Sequence, residues 1–77
     1  MQINVRLFGP LRDKLPIEAK GRTTLKLEEG VTVQAIFDQL ELPPNLLITL
    51  NNDNEATSES VLSDGDLVVF FAAVSGG

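Results

Sequence analysis

The sequence contains no histidine and no cysteine, and it sets only six basic residues against eleven acidic ones. Without imidazole or thiol the chain lacks the usual acid/base at neutral pH, the usual sulfur nucleophile and the common soft-metal ligands. Chemistry that needs those groups has to come from a partner. The missing cysteines also exclude disulfide staples, which fits a reducing interior, and the chain is expected in the cytoplasm. No run approaches the roughly 20 apolar residues that span a bilayer, and the N-terminal residues have neither the basic start nor the apolar stretch of a signal peptide. The net charge of −5 repels phosphate backbones and anionic membrane surfaces. Neither nucleic acid nor membrane is therefore an expected partner, and a basic protein surface is the better match. At 77 residues the chain is one domain that buries roughly 60 to 65% of its unfolded surface. A deep substrate cleft with groups to orient it is hard to build on that scale, so an independent enzyme is not expected.

What is present is clear alternation. Gln2–Leu7 places Ile3, Val5 and Leu7 on one side and Gln2, Asn4 and Arg6 on the other, the pattern of a half-buried strand. Residues 9–22 hold Gly9, Pro10, Pro16 and Gly21 among charged side chains. They read as a long, partly irregular connection tacked down by Leu11, Leu15 and Ile17. Residues 23–28 alternate again, with Leu25 and Leu27 inward, and are expected to pair antiparallel with the first strand. Thr32 is a candidate N-cap for a helix over 33–40, whose Val33, Ile36, Phe37 and Leu40 share a face by the i, i+3, i+4, i+7 rule. Pro43-Pro44 stops it.

Leu46–Leu50 reads as a third strand, residues 51–54 as a polar turn, and 56–62 as a short edge strand or an irregular segment. Ser63-Asp64-Gly65-Asp66 is a turn signal before the last strand, Leu67–Ala72. One main helix on one face of a mixed sheet, in this order, is the α+β architecture of the β-grasp or ubiquitin-like fold. Its first and last strands lie side by side at the centre. The last strand is apolar on both faces, with Val68, Phe70 and Ala72 on one and Leu67, Val69 and Phe71 on the other. Either the long connection covers the second face, or that face is an exposed patch for a partner. Phe37 is expected in the core.

After the strand comes Ala73-Val74-Ser75-Gly76-Gly77. The expected division is a domain over 1–72 and a flexible tail over 73–77. Five extended residues reach at most about 17 Å, and two glycines let a tail enter a channel too narrow for a Cβ. With alanines at 72 and 73, the tail is expected to be mobile before binding. The Gly77 carboxylate is the reactive group this offers, ionised at neutral pH with a pKa near ~3.5 and inert until activated. Glu28-Glu29 and the Asp64/Asp66 pair read as structural, since they lack the number and spacing of a calcium loop. No metal site is expected. Arg6 and Arg12 are available to acidic groups of a partner.

Three segments carry a resemblance to a known family. They are Val5-Arg6-Leu7-Phe8-Gly9-Pro10-Leu11-Arg12-Asp13, Ile48-Thr49-Leu50-Asn51-Asn52, and Leu62 through Phe71 leading to Gly76-Gly77. In this order and spacing the chain resembles the MoaD/ThiS family of ubiquitin-like sulfur carriers over nearly its whole length. The first segment and the Phe70-Phe71 pair are most similar to the small subunit of molybdopterin synthase. That subgroup commonly has two prolines where this chain has Ala72-Ala73.

The resemblance implies no permanently bound cofactor. An adenylating, ubiquitin-activating-like enzyme would use ATP and Mg²⁺ to activate Gly77, and sulfur from a persulfide would convert it to a thiocarboxylate. The tail would then enter the large catalytic subunit of molybdopterin synthase, with Gly76 and Ser75 as approach residues, Phe71 as the partner-facing aromatic and Phe8 as a second contact. The alternatives are a thiamine-pathway carrier that serves a thiazole synthase, a modifier joined to lysines through Gly77, and an interaction domain without tail chemistry.

Overall fold

The computed structural model describes residues 1–72. Four strands form one sheet: β1 (Gln2–Leu7), β2 (Arg22–Lys26), β3 (Leu46–Leu50) and β4 (Leu67–Ala72), with helix α1 (Gln34–Leu40) between β2 and β3. The order across the sheet is β2-β1-β4-β3. β1 and β4 are the parallel central pair, in a register that sets Val5 opposite Val68 and Leu7 opposite Phe70. β2 and β3 flank them antiparallel. This is the expected β-grasp, mixed in strand direction with its helix on one face.

Alternation in the strands becomes sidedness. Ile3, Val5 and Leu7 of β1 and Val68 and Phe70 of β4 are buried in one cluster with Val33, Ile36 and Phe37 at and within α1. The Phe37 and Phe70 rings meet edge to face, with centroids 5.3 Å apart. Full burial of a side chain such as Phe70 is worth about 1.5–3 kcal/mol, and the edge-to-face geometry adds roughly 0.5–1.5 kcal/mol.

The helix begins differently from the sequence expectation. Thr32 provides no side-chain cap; the first helical residue is Gln34, preceded by Val33 in helical geometry. The free N–H groups of Val33 and Gln34 instead donate to the carbonyls of Ser60 and Ser58, at 3.0 and 2.8 Å. Residues 56–62 are consequently not a ladder strand. Their carbonyls are turned to the start of α1, and one isolated bridge, Thr32 to Val61, joins them to residue 32. Leu62, buried, anchors the segment. At the other end Glu41 takes a left-handed conformation and returns its N–H to Phe37, ahead of Pro43-Pro44.

The connection between β1 and β2 holds two 3₁₀ segments, Gly9–Lys14 and Ile17–Ala19. Leu11 is buried and Leu15 half-buried, but Ile17 is 86% exposed and does not tack the connection down. β2 covers Arg22–Lys26, a shorter strand than expected. Beyond it Leu27 continues the pairing through its N–H to Met1, at 2.9 Å.

The turn before β4 is tied by side chains. Asp66 accepts from the Ser63 N–H at 2.7 Å and from the Asn51 side-chain amide at 2.9 Å, while the Asn51 Oδ1 accepts from the Leu67 N–H at 2.8 Å. Asp64 accepts from the Gln2 N–H at 2.6 Å. Both aspartates thus serve the fold, joining the start of β4 to its two neighbours.

Candidate functional site

The helix covers one face of the sheet, and strand parity decides what the other presents. Across β1, β4 and β3 the register sets Arg6 opposite Val69, Val69 opposite Thr49, and Phe71 opposite Leu47. Val69 is buried between its neighbours, Phe71 is half-buried and Leu47 is 61% exposed. A depression of about 370 Å³ lies beside Phe71 and Leu47, with Thr49, Asn54 and Ala56 among its walls.

Phe8 completes the surface. Its N–H donates to the Phe70 carbonyl at 3.2 Å, which carries the β1–β4 pairing one residue past the end of β1. Its ring then stacks on Phe71, with centroids 5.1 Å apart and planes 5° from parallel. The Arg6 guanidinium lies 5.2 Å from the Phe8 centroid, a cation–π contact worth about 0.5–1 kcal/mol at an exposed site. The two aromatic residues expected to meet a partner are therefore one stacked unit. Phe8 is the more open member, at 40% exposure. The outward side of β4 is part cover and part patch: the Phe8 ring lies on Phe71, and Leu47 is left open next to it.

Leu47 is the exposed apolar residue of this surface that the sequence pattern did not single out. Its signal was parity: in the run Leu46-Leu47-Ile48, residue 47 has to face away from the helix if Ile48 faces it. Ser75, Gly76 and Gly77, the remaining expected site residues, lie outside the described residues. Among the described residues no helix is long and apolar enough to cross a membrane.

The domain is ubiquitin-like, with its last strand at the sheet's centre and an aromatic, apolar surface beside that strand's end. The chain belongs to the ThiS family, whose model matches residues 5–77. The ThiS/MoaD-type members are small, non-catalytic, ubiquitin-like sulfur carriers. No curated protein matches the sequence.

Solved structures with this fold include SAMP1 from Haloferax volcanii, 18% identical, with a TM-score of 0.74 over 100% of both chains. A putative molybdopterin converting factor subunit 1 from Pyrococcus furiosus is 19% identical, with a TM-score of 0.76 over 96% of this chain and 99% of its own. A complex of subunits 1 and 2 of the molybdopterin-converting factor from Helicobacter pylori contains a chain 25% identical, with a TM-score of 0.64 and full coverage of both.

Proposed function

We propose that this protein carries sulfur on Gly77 and delivers it during molybdopterin synthesis, as the small non-catalytic subunit of a molybdopterin synthase. The observation that carries this reading is the family match, which extends to the last two glycines. The similarity to a subunit solved in complex with its own subunit 2 supports a large catalytic partner.

A carboxylate cannot expel oxide, so Gly77 needs activation. Its oxygen attacks the α-phosphorus of ATP on a Mg²⁺-dependent adenylating partner, and pyrophosphate leaves. The terminal sulfur of a persulfide then displaces AMP from the acyl carbon. A second thiol cleaves the resulting acyl disulfide, supplying the electrons and leaving a thiocarboxylate. The tail carries that sulfur into the large subunit, where Gly76 keeps it thin, Ser75 lines the approach, and Phe71 and Phe8 seat the domain. All of this belongs to a reducing cytoplasm, where a persulfide and a free thiol persist.

Intact-mass analysis after incubation with the adenylating enzyme, ATP and a persulfide donor tests the carrier step. The expected product has one oxygen replaced by sulfur at Gly77. Lysine-linked conjugates without that species would replace this reading with a protein modifier. Copurification then tests the pathway: a pterin-processing subunit is expected, and a thiazole synthase would redirect the assignment to the thiamine pathway.

A further inference from the structure

All six basic residues, Arg6, Arg12, Lys14, Lys20, Arg22 and Lys26, fall in β1, β2 and the connection between them. Asp13 and Glu18 are the acidic residues of that stretch, and every later charged residue is acidic. The fold keeps this segregation, since β2 and β1 occupy one side of the sheet and β4 and β3 the other. The chain is acidic as a whole but basic along the β1–β2 side.

Three of these basic residues line a cavity of about 160 Å³, whose walls are Arg6, Leu7, Phe8, Arg12, Lys20 and Gly21, with no Asp or Glu among those residues. Gly21 is buried with φ +75°, and a Cβ there would stand 2.5 Å from the Leu7 carbonyl oxygen and 3.0 Å from Cγ of Arg12. The aliphatic stem of Arg12 therefore lies across the bare Cα of Gly21. Lys20, the residue before Gly21, is itself in the left-handed conformation, φ 54°. Phe8 and Arg6 belong both to this cavity and to the stacked aromatic surface.

We infer that the Arg6–Arg12–Lys20 cavity is an anion pocket that receives a carboxylate side chain from an acidic segment of the protein docked on Phe8 and Phe71. Guanidinium forks bind carboxylates with paired, charge-assisted hydrogen bonds. The pocket adjoins the apolar surface, so one partner covers both. A phosphate polymer would extend past the pocket over the acidic remainder of the molecule, where it is repelled. A folded partner can limit its negative charge to the point of contact. The local preference is thus the reverse of what the net charge of −5 implies.

This deepens the carrier reading and rests on it only for which protein supplies the carboxylates. The test is a titration of the ¹⁵N-labelled full chain with a hexaglutamate peptide at low salt. Saturable shifts are expected at the Phe8 and Gly21 amides and at the Arg6 and Arg12 Nε groups. Arg12→Gln and Lys20→Gln are each expected to weaken binding roughly threefold to tenfold, whereas Lys26→Gln, outside the cavity, leaves it unchanged. Unshifted Val5 and Phe70 amides establish that the variants keep the fold.

Non-saturating shifts spread over Lys14, Arg22 and Lys26, or equal weakening by Lys26→Gln, would overturn the pocket in favour of diffuse charge. Tighter binding of inorganic phosphate or hexathymidylate at the same residues would overturn the carboxylate assignment. Failure of Gly77 to acquire sulfur would not alter this titration, and failure of the titration would not alter sulfur loading, so the two readings fail separately.

Discussion

At Gly21 the backbone passes too close to Leu7 for any side chain, and the residue also has a positive φ that L-residues rarely adopt. Gly21→Ala is expected to cost at least about 1–3 kcal/mol from the backbone conformation alone, with the carbonyl clash added. Urea denaturation should show a lower midpoint at an unchanged slope. A glycine marking a turn was legible in the sequence, but its contact with Leu7 was not, because that contact depends on how β1 and β2 pair.

Phe8 presents the complementary case. Phe8→Ala removes one stacked ring from a partly open pair, a loss of roughly 0.5–1.5 kcal/mol in stability. It also removes part of a proposed anchor, where truncation of an aromatic hot spot costs about 2 kcal/mol or more in binding. Calorimetric affinity for the proposed large subunit should therefore fall more than thermal stability does. Equal changes would make Phe8 a structural residue only. Phe8 and Phe71 were visible as aromatics near two strand ends, whereas their stacking depends on the parallel β1–β4 register.

The elements show why strands were easier to read than the ends of the helix. Alternation in β1 and β2 reports burial directly, since Ile3, Val5, Leu7 and Leu25 pack on the same cluster. The Val33, Ile36 and Phe37 stripe likewise located the helix. Its start was misread because Thr32 has the right chemistry for a local cap, while the N–H groups are satisfied by carbonyls more than twenty residues further on. The same long-range bonds explain why 56–62 does not extend as a strand. Ile17 failed differently: an apolar residue in a connection has no period from which to deduce its side.

Thr32→Ala consequently should cost less than about 0.5 kcal/mol, below the ~1 kcal/mol typical for loss of a side-chain cap. Hydrogen exchange at Val33 and Gln34 should stay unchanged in that variant. Accelerated exchange at both amides would restore Thr32 as a cap.

For the molecule as a whole, the separation of charge matters more than its sum. With the basic side next to the Phe8–Phe71 pair, association with the acidic partner proposed above should be steered, and its rate should drop as salt rises from low to physiological ionic strength. Stopped-flow mixing with the proposed large subunit would measure this; a rate independent of salt would mean that the basic side does not face the partner. The fold supplies one more property. β4 is hydrogen-bonded on both edges, to parallel β1 and antiparallel β3. A partner that draws on the end of β4 therefore loads both ladders lengthwise, with many hydrogen bonds resisting together, instead of peeling them apart one by one. The domain can be held under tension by its own last strand without coming undone.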